Sequence, residues 1–117
     1  MPDLIDQMKT EMNTRFGVSA DDVRIVRSPY RICPIGAHID HQLGLVTAMA
    51  IDQAVYLAFV PSGNTSVHLQ SLTFDGEVTF SLDGIPDKTD GDWGNFSRGA
   101  AQALQQKGHN LTQGIIG

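Results

Sequence analysis

Ile5, Met8, Met12 and Phe16 recur at helical spacing with polar residues between them, which predicts a first helix over residues 3–16. Asp3 is placed to cap its start and Gly17 to stop it. From Val23 to Val26 the chain turns β-branched, and Pro29 and Pro34 then bracket Tyr30–Cys33, so a strand is expected to give way to an irregular loop. Leu45–Ile51 and Ala54–Val60 are apolar runs separated by Asp52-Gln53; they read as two strands of a buried sheet, closed by the turn Pro61-Ser62-Gly63-Asn64. Val67–Phe74 and Glu77–Leu82 flank Asp75-Gly76, a dipeptide suited to the positive φ angles of a two-residue hairpin turn. After a polar stretch from Gly84 to Gly91, Asp92 can cap a second helix that ends at Gly108. Trp93, Phe96, Ala100, Ala103 and Leu104 share one face of it, which is expected to pack on the sheet. Gly114-Ile115-Ile116-Gly117 begins a further apolar strand. With no internal repeat and no low-complexity tract, the pattern predicts one α+β unit.

Composition narrows the partners. The 117 residues are 41% hydrophobic and 18% charged, enough for one domain with a modest core. The formal charge is −5 and the eight Lys and Arg are scattered, so no basic stripe is offered to a phosphate backbone and nucleic acid is not expected as a partner. Cys33 is the single cysteine, which excludes an internal disulfide and a cysteine-based zinc cluster and fits a reducing compartment. No basic stretch followed by an apolar run opens the chain, and no segment approaches the roughly 18 apolar residues of a membrane span. A cytoplasmic protein without membrane contact is the expectation.

Reactive side chains are densest at Arg31, His38, Asp40, His41 and Gln42, in a stretch framed by Pro29, Pro34, Gly36 and Gly44. Polar loops pinned by Pro and Gly are common binding sites, and a carboxylate, an imidazole and a guanidinium together suit a sugar ligand. Two other readings stand beside this one. The cluster can be an ordinary solvated loop, or His38, Asp40 and His41 can be metal ligands, although their spacing alone does not converge three side chains. Trp93 and Phe96, at i and i+3 on a helix, read as core rather than as ligand-stacking rings. Cys33 reads as packing rather than a nucleophile, and His68 and His109 carry no assignment.

Ser28-Pro29-Tyr30-Arg31-Ile32-Cys33-Pro34-Ile35-Gly36-Ala37-His38-Ile39-Asp40-His41 resembles the galactokinase signature P-G-R-V-N-L-I-G-E-H-T-D-Y, with Arg, Ile-Gly, His and Asp in register. Gly44 with Leu45–Ile51 is similar to the G-x-V-L-P-M-A-I strand of that family, and Trp93-Gly94-Asn95-Phe96-Ser97-Arg98-Gly99 to its W-x-N-Y-x-x-G helix start. Phe16-Gly17 sits where these kinases end a helix in F-G. The resemblance, to the galactokinase branch of the GHMP kinases, implies a mixed β-sheet with helices on one side. That is the amino-terminal part of a GHMP-kinase fold (ribosomal protein S5 domain 2-like), spanning 1–117. It also implies phosphoryl transfer from Mg-ATP to the anomeric hydroxyl of a sugar. By the same resemblance Arg31 is the catalytic-site arginine, stabilising charge on the transferring phosphoryl group or the attacking oxygen, and His38 and Asp40 bind ring hydroxyls.

Three positions depart from that pattern: Tyr30 replaces Gly, His41 replaces Tyr, and Ala37 replaces the glutamate that holds the C6 hydroxyl in galactokinases. A site for a C6 carboxylate does not tolerate a second carboxylate beside it. Galacturonate kinases resemble this sequence in the form S-P-Y-R-I-C-P-x-G-A-H-I-D-H, which favours a sugar acid over galactose, with Tyr30 and His41 as further substrate contacts. The P-x-G-x-G-L-S-S-S loop that holds triphosphate in this superfamily does not occur in the 117 residues, so no residue here is assigned to ATP, magnesium or another metal. The catalytic aspartate would likewise lie beyond Gly117. The chain by itself is therefore expected to be inactive and to associate with itself through uncovered apolar sheet. Galactose as substrate, and a non-catalytic sugar sensor built on the same pocket, are the alternatives.

Overall fold

The computed structural model describes residues 3–117 and divides them into two compact units, residues 25–57 and the remainder. In the larger unit, helix α1 runs Leu4–Phe16 and stops where Gly17 takes a left-handed φ of 67° and donates its N–H to Asn13 O. Asp3 stands at the cap position but makes no side-chain capping bond. Strand β1 spans Arg24–Ile32 and β2 spans Met49–Pro61. They are followed by β3 (Ser66–Gln70), β4 (Glu77–Ser81), helix α2 (Asn95–Gln106) and β5 (Ile115–Ile116). Strand order is β1-β2-β5-β3-β4. β5 is antiparallel to β2 and parallel to β3, so the sheet is mixed.

Two strand boundaries differ from the sequence pattern. β1 continues through Pro29 instead of giving way to a loop there, because it is an edge strand, where a missing N–H need not break a ladder. β2 is one continuous strand in place of the two expected around Asp52-Gln53, and Leu45–Ala48 lies outside it. The polar pair does not end the strand because both side chains are exposed, and Asp52 has a partner in Arg27.

The β3–β4 hairpin forms as expected, with Val67 opposite Phe80 and Leu69 opposite Val78, but Gln70 pairs with Glu77 and leaves residues 71–76 as the connection. A two-residue turn at Asp75-Gly76 is replaced by this longer loop, which Ser71 Oγ organises by accepting the N–H groups of Thr73 and Phe74, both at 3.0 Å. Trp93 holds its far side, donating Nε1–H to Asp75 O at 3.2 Å and stacking on Phe74 with ring centroids 6.3 Å apart.

Val67, Leu69, Val78 and Phe80 form the buried face of the hairpin, Val78 being only 2% exposed. α2 lies against it with a face the hydrophobic pattern did not select. Gly94, Arg98 and Ala101 are buried, whereas Phe96 is 85% exposed and Ala100, Ala103 and Leu104 also face outward. Phe96 is therefore not core. Size decides this orientation: a Cβ at Gly94 would stand 2.6 Å from Val78 Cγ2, so only a residue without one lets the helix start approach so closely. Asp92 reinforces the approach. Its Oδ1 accepts Gly94 N–H at 2.9 Å and its Oδ2 accepts from Arg98 Nη2 at 2.7 Å, beside a second Arg98 bond to Asn95 Oδ1 at 2.7 Å. α1 meets the opposite set of hairpin side chains: Arg15 donates to Gln70 Oε1 at 3.0 Å and Phe16 packs edge-on to His68.

The hydrogen bond from Arg98, then that from Gly94 N–H, holds the Asp92 carboxyl below its ordinary range. A carboxyl with a lowered folded-state pKa stabilises the fold above its unfolded value near 3.8, and that contribution disappears as pH falls through the folded value. Urea unfolding between pH 7 and pH 2 is expected to show this acid loss. Asp92→Asn is expected to be less stable at neutral pH and to lose less on acidification. An equal acid slope in both proteins would exclude Asp92 as the source.

Candidate sugar-binding site

Every residue singled out for chemistry falls in the unit of residues 25–57. Arg31 and Tyr30 lie at the end of β1, and since successive strand residues point to opposite faces, they are not brought together. Ala37, His38, Asp40 and His41 share the following loop, in a turn at 37–39 and a 3₁₀ turn at Asp40–Gln42. All six are exposed.

The loop is built by backbone bonds that fold it tightly around Ile39. Ile39 N–H reaches Gly36 O at 3.2 Å, and Ile39 O accepts from both Gln42 N at 3.1 Å and Gly44 N at 3.0 Å. Gly36 makes the entry possible, because its φ is +90° and a Cβ there would stand 2.6 Å from Leu45 O. Leu43 follows the 3₁₀ turn in the left-handed region at φ 60° and is 95% exposed. A left-handed leucine costs about 1–2 kcal/mol, so the bonds around it hold a shape that the residue itself resists. The base of the loop is joined by Thr47, whose N–H donates to Ile35 O at 2.9 Å and whose Oγ1 accepts from Ile35 N at 3.1 Å. Cys33 donates weakly to Ile35 O at 3.4 Å in the same corner, a packing role.

Among the described residues the side chains of Arg31 and His38 form no hydrogen bond or ion pair, and Asp40 Oδ1 has only His41 Nδ1, 3.7 Å away. Free polar groups on a constrained loop are what a ligand rich in hydroxyls needs, since it must supply their partners. Arg27 is the contrast. Its Nε donates to Tyr56 OH at 3.1 Å, and its Nη2 donates to Asp52 O and lies 3.5 Å from Asp52 Oδ1, so its charge is already engaged. No group of three His, Cys, Asp or Glu among the described residues could hold a metal ion. Sequence reasoning overlooked the Arg27–Asp52–Tyr56 trio and Thr47; the only sign of them was polar side chains inside runs otherwise suited to buried strands.

The fold and the loop motif are those of the amino-terminal part of galactokinase-type proteins. Residues 11–61 match the galactokinase galactose-binding signature. The chain is similar to the amino-terminal, galactose-binding part of galactokinase-family proteins. It is 44% identical to the galacturonokinase of Arabidopsis thaliana, over 97% of this chain and 30% of that protein. It is 41% identical to the galactokinase of Chloroflexus aggregans, over 69% of this chain and 21% of that protein. The crystal structure of Lactococcus lactis galactokinase complexed with galactose superimposes with a TM-score of 0.87 at 25% identity, covering 97% of this chain and 30% of that one. The chain thus spans less than a third of the length of these relatives.

Proposed function

We propose that the protein containing these residues transfers the γ-phosphoryl group of Mg-ATP to the C1 hydroxyl of a galactose-type sugar, with galacturonate preferred to galactose. The observation that carries the preference is Ala37, which stands where the galactokinase signature has glutamate, in a chain 44% identical to a galacturonokinase. The sugar assignment is supported by Arg31 at the end of β1 and His38 in the loop, both without a side-chain partner among the described residues, and by the exposed Asp40 carboxylate. ATP and magnesium are held by residues outside these 117, which contain no glycine- and serine-rich phosphate loop, so this chain by itself is inactive. Left alone it associates with itself, since Leu43, Leu45, Phe74 and Phe96 are all more than half exposed. A reducing, cytoplasmic setting is supported by the single cysteine, Cys33.

The test supplies the full-length protein with Mg-ATP and either galacturonate or galactose and identifies the product by phosphorus NMR. Phosphate on C1, formed with the higher kcat/KM from galacturonate, is the expected result. A preference for galactose would overturn the substrate, and phosphate on another hydroxyl, or none at all, would overturn the reaction. Calorimetric titration of Mg-ATP into residues 1–117 is expected to give no binding heat.

A further inference from the structure

Of the six candidate site residues, four sit between Ile35 and Thr47, and one residue joins the two ends of that segment. Thr47 engages both backbone groups of Ile35, twelve positions away, through its own N–H and its hydroxyl. The two arms of the loop meet closely at the same place, since the space beside Gly36 is filled by Leu45 O and Val46 Cγ1. All other hydrogen bonds found within residues 35–47 are local turns around Ile39, which shape the tip without fixing it to the base. In the related strand pattern G-x-V-L-P-M-A-I the position of Thr47 is leucine, which has no hydroxyl, so the second bond of this closure is a feature of the present sequence.

We infer that Thr47 is a positioning residue for sugar recognition: its hydroxyl clasps the loop shut at Ile35 and so fixes where Ala37, His38, Asp40 and His41 stand. A loop closed at its base samples fewer conformations, and each contact made by a pre-set side chain then requires less ordering on binding. Thr47 itself touches no sugar and acts only through the loop. The inference rests on the sugar site proposed above.

Thr47→Val keeps the branched shape and the backbone N–H but removes the hydroxyl, and Thr47→Ser keeps the hydroxyl. In the full-length enzyme, Thr47→Val is expected to raise the KM for the sugar by roughly threefold to tenfold, the span of one net hydrogen bond. The KM for ATP and the melting temperature should be unchanged, and Thr47→Ser should restore the sugar KM. Hydrogen exchange at the Ile35 amide, measured without sugar, should be faster in Thr47→Val than in wild type or Thr47→Ser. An unchanged sugar KM in Thr47→Val, or a serine variant as weak as the valine one, would overturn the assignment. Should the wild type act on no sugar, the site reading fails instead. The exchange measurement then decides for the clasp if Ile35 is deprotected and against it if Ile35 is not.

Discussion

Arg31→Ala in the full-length protein is expected to lower kcat by roughly a hundredfold to a thousandfold, the scale of losing one preorganised donor to a transition state. The size of the effect follows from the contrast between two arginines on one strand. Arg27 is held by Asp52 and Tyr56, so its charge is largely compensated by protein. Arg31, farther along β1, has no such partner among the described residues and presents an exposed guanidinium just before the candidate site loop. An uncompensated fork of N–H donors interacts strongly with oxygen that gains negative charge, and less with a neutral hydroxyl, so its loss should appear in kcat more than in KM. Arg31→Lys is expected to recover little, because an ammonium cannot reproduce the planar two-point geometry. Steady-state kinetics with sugar and ATP varied separately, on variants of unchanged melting temperature, give the answer. A kcat within about tenfold of wild type, or a change confined to the sugar KM, would remove Arg31 from the chemical step, given that one lost donor should cost more than that.

Ala37→Glu is expected to move the kcat/KM ratio from galacturonate toward galactose. Two carboxylates about 4 Å apart repel by about 1 kcal/mol in bulk water and about 4 kcal/mol at an effective dielectric near 20. The corresponding selectivity runs from about fivefold to several hundredfold. Ala37 opens an exposed turn, so a longer side chain has room there, and the change should act through charge rather than through misfolding. Because the turn is exposed, the lower end of the range is the floor; a bound sugar that excludes water would raise it. Loss of repulsion creates no affinity by itself, so the acid needs a donor. His41 shares the loop with Ala37, whereas Tyr30 lies on the strand before it, facing away from Arg31, which makes His41 the stronger of the two candidates. Both sugars must be assayed on both proteins. An unchanged ratio would show that position 37 does not read the C6 group.

How far the sequence anticipated this structure depended on whether one local rule acted alone. Gly17 ends α1 because glycine takes the left-handed angle at no cost, a decision made within one turn of helix. The irregular stretch that carries the candidate residues was partly legible, since its residues are contiguous and Gly36 sets its entry, but Leu45–Ala48 belongs to it and not to the strand expected there. Pro29 and Asp52-Gln53 misled because their effect depends on where the strand lies in the sheet and on Arg27 crossing to Asp52, neither of which is local. Asp75-Gly76 signalled a tight turn that Ser71 and Trp93 overrode by stabilising a longer loop. The orientation of α2 departs furthest from the hydrophobic pattern. Hydrophobicity favoured Phe96, but close approach at Gly94 and the buried Arg98–Asp92 pair turned the helix the other way. Steric fit between elements has no periodicity to read.

The place of β5 sets an order of assembly. β3 and β4 are near neighbours in the chain and can pair within microseconds, as local hairpins do. β5 must then enter between β2 and β3, aligning Ile116 with Val60 on one side and His68 on the other. Gly114 is needed at that entry, because its missing side chain lets Ser66 O approach the backbone. The strand that completes the sheet is thus the last of the five to be synthesised, and its pairings join distant parts of the chain, the kind of contact that slows folding. During translation β2 and β3 therefore wait with facing edges bare. The interval before β5 arrives is when the nascent chain most needs protection from pairing with another molecule.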